Sequence, residues 1–214
     1  MSDVDETDAS ARVIPAELWR KLREDPVHAP EHVALAAAEY HGPAAAAWVA
    51  EKRGRYSGSG LDLARMAKKR HATLARFGGA ATGVGGWVTI VPDLAALAWI
   101  QSRLVFFIAA SFGFDPRDPM RPAELLVLQG MYDDVASARA ALDGAGRSVA
   151  GAWVESRLNR EQTLAGRLMK MAGKQATKRF AGRLVPGLAI ITNAVSNERD
   201  TRALADRAIR FYGG

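Results

Sequence analysis

The segment from Leu94 to about Phe112 is apolar on nearly every face of a helix, and it most constrains how this chain can fold. Gln101 and Arg103 interrupt it. A helix that is apolar all round has to be buried, either in a protein core or in a bilayer. A spanning helix needs about 20 mostly apolar residues, and a central arginine costs at least about 2.5 kcal/mol on insertion scales. The sequence therefore favours a long central helix of a bundle, over about 92–113, and leaves peripheral or reentrant membrane association open.

Strong helix formers dominate the rest of the chain. Its 214 residues include 41 alanines and 19 leucines, against 15 valines, 7 isoleucines and 8 threonines. We therefore expect an all-α fold, a multi-helix bundle large enough to bury a core without cross-links. The lack of cysteine excludes disulfides, thiolate metal sites and cysteine nucleophiles.

Proline and glycine divide the chain into three expected parts. Residues 1–13 form an acidic tail with too few apolar residues to order and no secretory signal. Residues 14–59 are an N-terminal helical region and linker, with a helix from about Pro30 to Arg55 that Pro43 should kink or split. Residues 60–214 form the main domain, with helices at about 61–76, 94–112, 121–130, 132–143, 148–184 and 200–212.

The net charge of +6 is concentrated in two basic stretches. Residues 52–76 contain eight bases and one acid, and residues 147–183 contain nine bases and two acids. Such concentration indicates an anionic partner, although a solvated helix face would need none. Nucleic acid is not expected, because neither stretch interleaves aromatic residues with the bases. The candidate contact residues for lipid or a partner are Arg65, Lys68, Lys69, Arg160, Arg167, Lys170, Lys174 and Lys178.

Each basic stretch adjoins an uncharged segment, 77–92 or 184–197. The first contains five glycines, and each costs about 1 kcal/mol in a helix relative to alanine. The spacing of Ala75, Gly79 and Gly83 allows two helix backbones to approach closely. We therefore expect either Gly-rich, small-residue helix packing or a reentrant turn here.

Recognised catalytic motifs are missing from the sequence. The Gly78–Gly86 cluster lacks the G-x-G-x-x-G pattern and follows a helix instead of a strand. His28 and His32 are separated by Pro30. Together with Glu39 and His41 they could form a metal site, but we interpret the three histidines as surface residues and expect no metal and no cofactor. We expect no enzymatic activity. The best candidates for an unrecognised enzyme are Asp93, Asp115, Asn193 and Asn197.

Four segments of glycine, proline and small polar residues follow one another along the chain: Phe77-Gly-Gly-Ala-Ala-Thr-Gly-Val-Gly-Gly86, Val91-Pro-Asp93, Ala109-Ala-Ser-Phe-Gly-Phe-Asp-Pro116 and Val185-Pro-Gly187. This order resembles the EcsC family of bacterial proteins over about residues 60–212. The resemblance implies a mostly helical fold and a membrane-proximal accessory role, because the family prototype is encoded with an ABC transporter. It implies structural roles for Gly78, Gly79, Gly83, Pro92, Asp93, Gly113, Asp115, Pro186, Gly187, Asn193 and Asn197.

These observations lead to two functional hypotheses. The first is a non-enzymatic accessory protein in the cytoplasm, peripheral to the inner face of the cell membrane, whose basic helices face anionic lipid or a membrane protein. The second is a soluble helical interaction module with no membrane contact, in which the helix from Leu94 to Phe112 is core. Its small-residue segments either pack helix on helix within the chain or form a homodimer or another homo-oligomer.

Overall fold

The computed structural model describes residues 13–78, 86–144, 167, 171 and 188–214, with the side chains of 76–78, 86–94 and 188–196 outside that description. Within these ranges the chain forms seven helices and no strand, which confirms the all-α prediction. The helices are α1 (Ala16–Glu24), α2 (Ala29–Arg55), α3 (Gly60–Gly78), α4 (Gly86–Ser111), α5 (Arg121–Leu128), α6 (Val135–Gly144) and α7 (Leu188–Gly213).

The described side chains of α4 are buried almost without interruption. From Ala95 to Ser111 only Ala96 is partly exposed, and Trp99, Phe106 and Phe107 are each at most 2% exposed. α4 packs against α2, α3 and α7. Burying one large apolar side chain stabilises a fold by about 1.5–3 kcal/mol, so this helix contributes much of the driving force for folding.

The helices around α4 run in both directions. The ring of His41 in α2 lies 4.2 Å from that of Trp99, and the Arg53 guanidinium, farther along α2, donates to the Ser111 carbonyl at 3.3 Å. α2 and α4 are therefore parallel. α3 begins at Gly60, beside the end of α4, and runs the opposite way.

α7 runs parallel to α4 and antiparallel to α3. The Gln101 amide of α4 lies 3.5 Å from the Thr201 hydroxyl, and at the far end of both helices the Phe112 ring approaches Gly213. α7 packs extensively against α3. The two antiparallel helices thus form one side of the bundle.

The N-terminal helices share the core of the rest of the protein. Leu18 and Leu22 of α1, and Val33 and Trp48 of α2, belong to the same buried cluster as the apolar residues of α4. Residues 56–59, between α2 and α3, are not helical. The linker thus connects two parts of the sequence that share one hydrophobic core.

α2 is a single helix, so of the two expectations for Pro43, a kink or a split, the split is wrong. Pro43 lacks the N–H that would bond one turn back, which locally weakens the helix. The residues that follow compensate, because Ala45, Trp48 and Val49 are buried in the core. Tertiary packing therefore outweighs the local preference.

Two other helices begin earlier than the sequence indicates. α4 begins at Gly86 instead of near Pro92, and α7 begins at Leu188 instead of near Asp200. Helix propensity is a weak guide when neighbouring helices supply the stabilising contacts. The proposed small-residue contact at Gly79 and Gly83 lies outside the described residues.

Gly42 allows the loop that follows α4 to approach the backbone of α2 closely. A Cβ at position 42 would lie 2.9 Å from the Pro116 carbonyl oxygen, whereas a Cβ at Gly54 in the same helix would meet nothing within 4 Å. The two glycines therefore form a matched pair within α2.

We expect Gly42→Ala to destabilise the protein by about 1–3 kcal/mol, because the added methyl group displaces a backbone carbonyl. Gly54→Ala should stabilise it by about 0.5–1 kcal/mol, through helix propensity alone. Urea unfolding of both variants measures the difference. Equal shifts in the two variants would show that the loop does not pack on α2 at this position.

Candidate functional site

The first basic stretch includes α3, whose cations differ in exposure and in ion pairing. Arg65 and Lys69 are exposed, while Lys68 is half-buried and forms an ion pair with Asp206 of α7. The Arg65 guanidinium lies 3.8 Å from the Asp62 carboxylate. Lys69 has no acidic partner within the described ranges. Ion pairs within the protein therefore neutralise part of the positive charge that the sequence places on α3.

Two exposed apolar side chains lie on α3 beside these cations. Leu61 is 37% exposed and Met66 is 40% exposed, and both flank the exposed Arg65 and Lys69. A helix that presents basic and apolar groups together is typical of proteins that bind at a lipid headgroup layer.

The second basic stretch contributes one described cation, Arg167, which is half-buried. Burial, the hydrogen bond to Glu31 and the charge of Glu31 raise the pKa of Tyr132 to about 12, and the charge of Arg167 opposes this rise. Arg167 therefore lies near a contact between α2 and the segment after α5. The other candidate contacts of this stretch, Arg160, Lys170, Lys174 and Lys178, lie outside the described residues.

Glu31 is a buried carboxylate at the start of α2. It is 1% exposed, and one of its oxygens accepts a hydrogen bond from the Tyr132 hydroxyl. The other oxygen has no hydrogen-bond partner in the described structure. This contact joins α2 to the segment between α5 and α6.

A buried polar cluster lies where α2, α3 and α4 meet. It contains His41, His71 and Arg103, each at most 5% exposed, together with the rings of Trp99 and Phe107. The Arg103 guanidinium lies 4.9 Å from the centre of the Phe107 ring, and the His71 ring lies 5.0 Å from the same ring.

Among the described residues, no helix is long and apolar enough to cross a membrane.

Both histidines of this cluster are held neutral. His71 Nδ1 donates to the Ala67 carbonyl at 2.8 Å, because a carbonyl oxygen can only accept. Burial, with a smaller effect from the charge of Arg103, lowers the pKa of His71 to about 3 despite that bond. Burial, followed by the charge of Arg103, lowers the pKa of His41 well below 6.5.

Sequence reasoning missed this cluster as a unit. It noted Arg103 as an interruption and His41 as a surface residue, and it did not single out His71. The available signal was the spacing of Trp99, Arg103 and Phe107, which lie four residues apart and therefore on one face of a helix.

A second polar cluster anchors the end of α7 and was also missed. The Tyr212 hydroxyl donates to Glu124 at 2.6 Å, and the Arg121 guanidinium donates to the same carboxylate. Arg121 also lies over the rings of Phe114 and Tyr212, at 5.2 and 5.6 Å. Burial raises the pKa of Glu124 although both hydrogen bonds oppose it, and burial and Glu124 raise the pKa of Tyr212.

His28 and His32 share a carboxylate between α1 and α2. Asp25 lies 2.9 Å from His28 Nδ1 and 3.1 Å from His32 Nε2. Burial raises the pKa of Asp25, but the hydrogen bonds with His32 and His28 outweigh it, so the net shift is downward. His32 also lines a surface groove of about 190 Å³ with Lys21 and Tyr40. The described residues contain no group of three or more metal-ligating side chains.

The sequence of this helical bundle also identifies its family. The EcsC protein family model matches residues 61–213, from the start of α3 to the end of α7. The chain belongs to the EcsC protein family. This match confirms the resemblance drawn from the Gly, Pro and Asp motifs. Comparison with curated proteins and with solved structures gives no match.

One EcsC motif lies at the end of α4. Gly113 has a φ of +90°, a conformation that side chains with a Cβ disfavour, and its N–H donates to the Ala110 carbonyl at 3.0 Å. The N–H of Phe114 donates to the Ala109 carbonyl at 3.1 Å. Asp115 then accepts the backbone N–H of Arg117 at 2.9 Å. These residues shape a helix cap and turn.

The other EcsC motif residues are spread along the bundle. Asp93 lies within α4 and Asp115 lies in the loop beyond its end, and the 18 helical steps from Asp93 to Ser111 separate them by about 27 Å. Asn193 and Asn197 lie in the first turns of α7, toward the Asp93 end. The four enzyme candidates therefore do not surround one pocket. Gly78 and Pro92 lie in α3 and α4, and the residues outside the described ranges are Gly79, Gly83, Pro186 and Gly187.

We expect the EcsC fold to lose stability in mild acid because of His41 and His71. Their pKa values are lower in the fold than the ordinary 6.5, so only the unfolded chain takes up the protons. Their contribution is complete above about pH 6.5 and falls by about 1 kcal/mol per histidine per pH unit below it. Urea unfolding between pH 7 and pH 5 measures this loss.

His71→Asn provides the comparison, since the Asn amide can still donate to Ala67 but does not titrate. The difference in unfolding free energy between wild type and this variant should shrink as the pH falls from 7 to 5. A difference that stays constant over this range would show that His71 is not a buried, neutral group.

Proposed function

We propose that this EcsC protein is a non-enzymatic, membrane-associated accessory protein in the cytoplasm. Its basic helices face anionic lipid or a membrane protein at the inner face of the cell membrane. The observation that carries this proposal is the outer face of α3, where Arg65 and Lys69 lie beside the exposed Leu61 and Met66.

The physical basis is the combined attraction of charge and apolar surface. Each lysine or arginine near an anionic membrane contributes about 1 kcal/mol, and long basic side chains can keep their charge at the headgroups while apolar groups enter the layer below. A peripheral attachment needs no spanning helix. Buried α4 is therefore compatible with this function.

A soluble interaction module is the second candidate, and one exposed apolar patch favours it. Phe114 is 41% exposed and Phe211 is 45% exposed, and both rings lie about 5 Å from that of Tyr212, at 5.1 and 5.0 Å. An exposed aromatic pair could pack on a second copy of the chain. This candidate requires no contact with lipid.

We expect the protein to float with vesicles that contain anionic lipid and to be released by salt, because screening weakens attraction to headgroups. Replacing Lys170, Lys174 and Lys178 with glutamate should reduce flotation strongly, since three attractive charges become repulsive. Vesicle flotation at low and high salt measures both effects.

The control reverses three exposed cations on α1, through Arg20→Glu, Lys21→Glu and Arg23→Glu. This variant has the same net charge and should float nearly as well as wild type. Flotation that does not depend on anionic lipid, and that survives the Lys170, Lys174 and Lys178 changes, would reject the lipid hypothesis. Quantitative recovery in the soluble cell fraction, without salt or detergent, would favour the interaction module.

A further inference from the structure

α3 and α7 form a continuous outer surface. The ion pair between Lys68 and Asp206 lies in the seam between these antiparallel helices and sets their register. Arg65 lies three residues before Lys68 on α3, and Arg210 lies four residues after Asp206 on α7. Because the two helices are antiparallel, both arginines lie on the same side of the ion pair. Both are exposed. The basic face of α3 therefore continues onto α7.

α7 adds cations that the sequence analysis did not count. Its buried side includes Leu204, Ala205 and Ala208, whereas Arg199 and Arg202 are exposed on the side away from the core. We define the α3–α7 face by its five exposed cations: Arg65, Lys69, Arg199, Arg202 and Arg210.

Acidic side chains neutralise only part of this face. Arg202 pairs with Glu198 at 2.7 Å, and Arg65 lies 3.8 Å from Asp62. The remaining three members, Lys69, Arg199 and Arg210, form no ion pair with any acid in the described parts of the chain.

The positive charge on α7 also affects a neighbouring arginine. Desolvation, followed by the charge of Arg210, lowers the pKa of Arg207. Arg207 donates instead to the Leu128 carbonyl at 3.1 Å, on the side of α7 that faces α5. Arg210 is therefore an exposed cation that lies close enough to Arg207 to affect its pKa.

We propose that the α3–α7 face is a docking surface for anionic phospholipid, with Lys69, Arg199 and Arg210 as its contacts to lipid phosphate. This inference rests on the proposed membrane association and adds a surface formed by α3 and α7 to the lysines of the second basic stretch. The exposed Leu61 and Met66 favour a bilayer over nucleic acid, because apolar aliphatic groups gain from contact with the headgroup layer and not from contact with a phosphate backbone.

The test uses the full-length chain and phosphatidylcholine vesicles with and without phosphatidylglycerol. The triple variant Lys69→Gln, Arg199→Gln, Arg210→Gln should bind the anionic vesicles about 100-fold more weakly than wild type. The control, Arg20→Gln, Lys21→Gln, Arg23→Gln, loses the same net charge on α1 and should bind within about threefold of wild type. Circular dichroism melts of both variants establish that each one folds.

The outcomes separate this inference from the broader proposal. Strong binding by wild type and by the α3–α7 variant would overturn the inference and leave membrane association standing. Equal losses in both triple variants would overturn it too, since net charge would then suffice. No binding by wild type would overturn both, and tighter binding to a DNA duplex than to anionic vesicles would replace lipid with nucleic acid as the partner.

Discussion

The burial of α4 is the constraint on which the rest of the structure depends. A helix that is apolar on nearly every face needs neighbours on all sides, and α2, α3 and α7 provide them. Arg103 is buried within the same helix, near two histidines that the fold keeps neutral. Packing around α4 therefore accommodates one buried cation while it excludes further positive charge.

This arrangement determines which surfaces are available for function. The apolar side chains of α4 from Ala95 onward, apart from Ala96, are buried in the core, so a partner meets the outer sides of the surrounding helices. α3 and α7 lie side by side, and their internal ion pair leaves other cations directed outward. Exposed cations of both helices thereby lie on one surface of the bundle, where an anionic surface would meet them.

The sequence predicted the helices where local pattern and packing agree, and less where they conflict. α3, α5 and α6 lie within three residues of their expected bounds, but packing carries α2 through Pro43, and α7 begins at Leu188 instead of near Asp200. The basic face of α3 was found from charge alone. The arginines of α7 were missed because acids such as Glu198 and Asp206 nearly cancel them in sequence, and only the fold shows which acids are paired.

Hydrogen exchange with and without anionic vesicles tests most directly whether α4 is core while α3 and α7 meet the partner. Peptides from α4 should exchange slowest and remain unchanged when vesicles are added, because their hydrogen bonds open only in global unfolding. Peptides from α3 and α7 should become more protected. Loss of protection in α4 on binding, with α3 and α7 unaffected, would contradict the account.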